Sequence, residues 1–186
     1  MYTDPRLKNL LPYLQLAMDK LGITDSDISN IEIVEKFLIS RQKNPKYTEI
    51  GACYEFPESL DTLRKQGYKI HTGYSDNDEK NIEPSVIYLS HYNPETRVIQ
   101  TDDQLLVALI HEVRHVYQHK YDKDLFRSGK PAEEDADAFA IAYMEACTSY
   151  NPDSYLWLIR RFMARDDGTR RRLADQMLTK YFKEEV

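Results

Sequence analysis

Residues 105–121 read LLVALIHEVRHVYQHKY and carry three of the chain's five histidines at intervals of four. On a helix turning about 100° per residue, His115 falls about 40° and His119 about 80° round from His111, with Gln104 and Ala108 in the same sector. Leu105, Leu106, Leu109, Ile110, Val113, Val116 and Tyr117 fill the opposite arc. One face therefore belongs in a core, while the other holds imidazoles and a small alanine where a surface helix carries Lys and Glu. Such a segment needs neighbours on its apolar arc and a polar centre on the other.

His111-Glu112-Val113-Arg114-His115 is an H-E-x-x-H motif. Two imidazoles one turn apart can aim their nitrogens at one zinc ion about 2.0–2.1 Å away, and Glu112, about 100° round, can reach a water there without becoming a ligand. Spacing and residue type predict a metal site with His111 and His115 as ligands and Glu112 within reach of a metal-bound water. Zinc that does chemistry usually takes three protein ligands and leaves one position open. His119 is one candidate for the third. It sits about 6 Å further along the axis than His115, however, and needs the helix to end or bend to join the same ion.

The other candidate lies in KPAEEDADAFAIAYMEA, beyond the motif. Pro131 suits the first turn of a helix, on which Glu133, Ala136, Asp137, Ala140 and Met144 share one narrow, mostly small face. Glu134 and Asp135 point elsewhere and read as acids favoured by the helix N-terminus. Glu133 is the favoured third ligand, with His119 kept as the alternative ligand or as a donor to the transition state.

The rest of the chain excludes several classes of function. With 186 residues, 41% hydrophobic and 30% charged, it has the composition of one domain with a real core. A net charge of −6 argues against nucleic-acid and anionic-membrane partners, which call for a basic footprint. The tail from Leu156 reverses the balance, with Arg160, Arg161, Arg165, Arg170, Arg171 and Arg172. Consecutive arginines spread round a helix and have Asp166, Asp167 and Asp175 to pair with, so a solvated or internally paired surface is expected. The opening MYTDPRLKNLLPYLQ shows no secretory pattern and no run approaches a membrane span, which predicts a cytoplasmic protein. Cys53 and Cys147 stand in no C-x-x-C pair and read as buried thiols.

Helices are expected at both ends with strands between. Leu7, Leu10, Leu11, Leu14, Ala17, Met18 and Leu21 share a helical face from an Asp-Pro start to Gly22, with Pro12 a candidate kink. DSDISNIEIVEKFLISRQ reads as a second helix, its β-branched residues leaving a strand open. KYTEIGACYEF, PSVIYLS and TRVIQ read as strands. Residues 57–83 form a long polar insertion with a short helix in it. Helices are then predicted over 102–121, 131–149, 152–165 and 168–184.

H-E-x-x-H followed by E-x-x-x-D resembles the gluzincin class of zinc metallopeptidases. HEVRH with EEDADAFA is similar to the compact ImmA/IrrE family, whose zinc helix is followed by a motif of the type E-x-E-A-N-x-F-A, here Glu133, Asp135, Ala136, Asp137, Phe139 and Ala140. The likeness spans roughly residues 47 to 145. It implies His111, His115 and Glu133 as zinc ligands, Glu112 as general base and Asp137 as the carboxylate that fixes a ligand imidazole. Together with the helices and strands read along the chain, the expected fold is α+β: one zincin-like domain over 1–186, with a small, mostly antiparallel sheet packed on the H-E-x-x-H helix, an N-terminal helical portion over 1–44, a core over 46–149 and C-terminal helices over 150–186.

The expected function is a zinc-dependent intracellular endopeptidase acting on a protein or peptide, a regulatory protein among the candidates. The peptide is expected to lie along an exposed edge strand, VIYLS, with the oxyanion donor drawn from His119, Tyr121, Tyr143, Tyr150 and Tyr155. The alternative is a non-catalytic zincin scaffold, zinc-bearing or metal-free, that acts by binding a partner.

Overall fold

The computed structural model describes residues 1–34, 37–41, 44–50, 52–55, 68–71, 85–93, 98–153 and 167–183. The chain is α+β and divides into two compact units, Met1–Lys8 with Asp25–Thr101, and Asn9–Thr24 with Asp102–Val186. The division runs through the N-terminal portion, so the first helix belongs with the later ones.

The first unit holds the strands. β1 (Tyr2–Thr3), β2 (Asn30–Val34), β7 (Val86–Ser90) and β5 (Ala52–Glu55) form one sheet in the order β1-β2-β7-β5. β2 runs parallel to both β1 and β7, with Asn30 opposite Val86 and Val34 opposite Ser90, while β5 is antiparallel to β7. β4 (Asn44–Ile50), β3 (Phe37–Arg41) and β6 (Tyr68–His71) form a second, antiparallel sheet with β3 in the middle. The one mostly antiparallel sheet expected from the sequence is therefore two sheets, the larger of them mixed.

Two sequence expectations fail here for identifiable reasons. The helix expected over DSDISNIEIVEKFLISRQ is replaced by β2 and β3. Ile31, Ile33 and Val34 are buried in β2, and such β-branched side chains are stiff in a helix but pack well on a pleated surface. VIYLS, expected at an edge, is β7, paired on both sides and buried at all five positions, as a strand enclosed by neighbours must be. It has no free backbone edge for a peptide. Of TRVIQ, the described residues 98–100 include an isolated bridge between Tyr92 and Ile99. Of the 57–83 insertion only β6 is described, and the short helix expected there lies outside the described residues.

The second unit is helical. A 3-10 segment over Pro5–Leu10 gives way to α1 (Leu11–Leu21), and Pro12, lacking an N–H, falls at its first turn, where that group is unneeded. Leu10, Leu14, Ala17, Met18 and Leu21 are buried and Leu11 is the exposed exception. Gly22 closes α1 in the left-handed conformation, φ 65°, which glycine adopts without a Cβ penalty. α2 (Asp102–Tyr121) coincides with the predicted helix, and a single turn, α3 (Lys123–Phe126), follows. α4 (Lys130–Cys147) and α5 (Asp167–Met177) follow, α5 ending in a π turn over Leu178–Phe182. α2 packs on α1 and on α4, and α4 also packs on α5. Cys147 is a half-buried free thiol rather than a fully buried one. Most of the helix predicted over 152–165 lies outside the described residues, as does the side chain of Cys53. Among the described residues no helix is long and apolar enough to cross a membrane.

Candidate metal centre

The apolar arc of α2 is buried as its pattern requires, but so are Glu112, Arg114, His115 and Gln118. The helix is enclosed round most of its circumference, and its polar side chains must find partners within the protein. α4 supplies them. It starts from Gly129, whose carbonyl accepts from Ala132 and Glu133 N–H, and Pro131 occupies the first turn. Ala132, Ala136 and Ala140 are buried with almost no exposed surface, and side chains that small let two helices approach closely.

That approach brings His111, His115 and Glu133 together, with their candidate ligand atoms all within 4.8 Å of one another, so the cluster could hold a metal ion. His111 Nε2 and His115 Nε2 are 3.0 Å apart. Glu133 straddles them, Oε2 lying 3.3 Å from His111 Nε2 and Oε1 lying 3.5 Å from His115 Nε2. Its side chain keeps 46% of its surface, so the cluster opens to solvent on the Glu133 side.

The remote nitrogen of each imidazole is also engaged. His111 Nδ1 meets Asp137 Oδ1 at 3.0 Å, and Asp137 Oδ2 accepts from Arg170 Nε at 2.8 Å. His115 Nδ1 meets Gln118 Oε1 at 2.8 Å. Burial works against a charge on His111, but the hydrogen bonds that it donates to Asp137 and Glu133 outweigh this and raise the imidazole's pKa well above the ordinary 6.5. Burial pushes Glu133 up, and the two histidines reverse this and hold it below the usual carboxylate range.

Glu112 is 6% exposed, and its charge is felt at His111, the next residue on the helix. His119 does not join the cluster. Its ring lies edge-on to Phe126 at 5.4 Å, and Phe126 also contacts the His115 ring at 6.2 Å. α2 does not end before Tyr121, and His119 is not among the residues whose ligand atoms gather with those of His111 and His115.

Several tyrosines named as oxyanion donors are committed elsewhere. Tyr143 is fully buried and donates to Tyr13 O at 2.6 Å, while Tyr121 donates to Gly22 O at 2.9 Å. Tyr150 packs against the Tyr13 ring at 6.3 Å, and Tyr155 lies outside the described residues.

Four residues around the cluster had no role assigned from the sequence: Asp135, Arg114, Arg170 and Gln118. Asp135, expected as solvated decoration, accepts both Arg114 Nε at 2.7 Å and Nη2 at 3.1 Å and also takes Gln118 Nε2 at 2.7 Å. Arg114, the charged residue inside the motif, further donates to Tyr181 at 3.2 Å and stacks over the Tyr117 ring at 4.2 Å. Arg170, expected among surface arginines, is 4% exposed and bonded to Asp137, whereas Arg171 pairs with Glu145 and Asp175 as that expectation had it. Gln118 was legible in principle, three residues beyond His115 on the same helical face. Arg170 carried no local signal.

Comparison with protein-family models, with curated proteins and with solved structures returns no match for this chain. The geometry of the site itself has to carry the functional reading.

Proposed function

We propose that the chain is a zinc-dependent endopeptidase of the gluzincin type, acting in the cytoplasm on a protein or peptide. The observation that carries this reading is the spacing of the donors. A tetrahedral ion with arms of about 2.0–2.1 Å separates its ligand atoms by about 3.3–3.4 Å. The two imidazole nitrogens here are 3.0 Å apart, and the two oxygens of one carboxylate lie 3.3 Å from the first and 3.5 Å from the second, near that spacing in a donor set that suits zinc.

When bound, zinc would acidify a water and polarise a scissile carbonyl. The chain's own residues do the rest. Glu112 takes the attacking water's proton on its carboxylate and returns it to the leaving amine. Its burial keeps that carboxylate out of bulk solvent, where water would compete for the proton. Asp137 orients His111 through Nδ1, leaving Nε2 to face the ion. The solvent-open side at Glu133 is where a substrate would enter.

The reading is tested by stripping the purified protein with a chelator and following cleavage of a proteome-derived peptide library. Cleavage should vanish with the metal and return on adding zinc. Cleavage that persists without metal would contradict the proposal.

A further inference from the structure

We infer that Gln118 is a positioning residue that fixes the tautomer and ring angle of His115, so that His115 faces the metal through Nε2. This rests on the reading of the cluster as a metal centre.

The argument is one of hydrogen-bond accounting. A primary amide has two N–H donors and one carbonyl acceptor. Gln118 is fully buried, and its Nε2 donates at 2.9 Å to Ala132 O and at 2.7 Å to Asp135 Oδ2. Both hydrogens are spent on acceptors: Ala132 O is a backbone carbonyl, and both oxygens of Asp135 already accept from Arg114. Turning the amide over would set Oε1 against two acceptors in a dry site, each contact unfavourable. Oε1 must therefore be the atom 2.8 Å from His115 Nδ1, where it can only accept. The proton lies on Nδ1. Nε2 is then the nitrogen that faces His111 and Glu133, 3.0 and 3.5 Å away.

The chain of contacts behind Gln118 explains an odd feature of the motif. Arg114 projects from α2 beside His115, yet its guanidinium is buried against Tyr117 and grips Asp135 on α4. It anchors Asp135, Asp135 orients Gln118, and Gln118 orients His115. The two imidazoles are thus backed by separate relays, Asp137 with Arg170 for His111, and Gln118 with Asp135 and Arg114 for His115. The first relay ends on α5 and carries a charge next to the ring; the second presents a neutral amide.

Separate relays make the inference testable within one molecule, because His111 serves as the control for His115. The full chain, labelled with 15N-histidine, is measured by two-bond proton–nitrogen correlation with and without zinc. His115 should carry a slowly exchanging proton on Nδ1 in the wild type. Gln118→Met, similar in shape but without polar groups, should speed that exchange at His115 alone, leave His111 unaltered, and weaken zinc binding by about 10- to 100-fold in a competition titration. A wild-type His115 without a proton on Nδ1 overturns the inference, and so does a Gln118→Met protein with unchanged exchange and affinity, or one in which both histidines change together. If the variant does not fold, the wild-type tautomer decides alone. A chain that takes up no zinc counts against the metal centre, while its metal-free spectrum still reports where the His115 proton sits.

Discussion

Arg170 Nε donates to Asp137 Oδ2 across 2.8 Å, with the two side chains retaining only 4% and 5% of their surface. Asp137 in turn holds His111, so a buried charge at the centre is neutralised from a helix 33 residues further along the chain. Removing one member of such a pair leaves the other as an uncompensated buried charge. Arg170→Met should cost on the order of 3 kcal/mol in the metal-free protein. Arg171→Met, on an exposed surface, should cost under about 1 kcal/mol. Urea denaturation of the two variants distinguishes these outcomes, and equal losses would deny Arg170 its special place.

The cluster defines a ligand set that metal analysis can check residue by residue. His111→Ala and Glu133→Ala should each lose most bound zinc at a sub-micromolar free concentration, while His119→Ala should keep it, because His119 packs on Phe126 outside the cluster. Loss of zinc on the His119 change would exchange the roles of His119 and Glu133.

Acid should remove a specific part of the stability at the start of the chain. Asp4 accepts Arg6 Nε at 3.0 Å and Nη2 at 2.8 Å, together with the Arg6 and Ile33 backbone N–H groups, and these bonds, the Arg6 side chain first, lower its pKa from 3.8 to about 2. A group whose folded pKa is depressed contributes stability above its unfolded value and loses it as pH falls through the folded one. Asp4→Ala should therefore cost about 1 kcal/mol at about pH 6, the worth of an ordinary cap, and the gap to wild type should close below about pH 2. Denaturation midpoints of both proteins across that range measure it. A gap independent of pH would mean that the carboxylate charge is not what matters.

The parts of the fold visible from sequence were those with a strong period and clear end signals. α2 and α4 fall where apolar periodicity, Pro131 and the motif put them, and Gly22 ends α1. The His111, His115 and Glu133 cluster followed from helical projection, because all three lie on just two helices. What escaped had a tertiary cause. Residues 30–34 became a strand because β2 finds a parallel partner in β7, 56 residues away, and residues 37–41 because β3 pairs with β4 and β6, and no local signal reports either. Asp135 and Arg170 looked like solvated charges because their partners, Arg114 and Asp137, meet them only after the helices have packed. Burial turned them from decoration into structure.

The central claim is that Glu112 is a base beside a metal held by His111, His115 and Glu133. Its most direct test is cleavage of a peptide library by wild type and Glu112→Gln at equal, measured zinc content. The account predicts one zinc in each protein, with the Gln variant slower by at least about 100-fold, the usual worth of a positioned general base. Equal cleavage by the two proteins would contradict it. Equal zinc with no cleavage by either would instead favour a zinc-bearing scaffold that works by binding a partner.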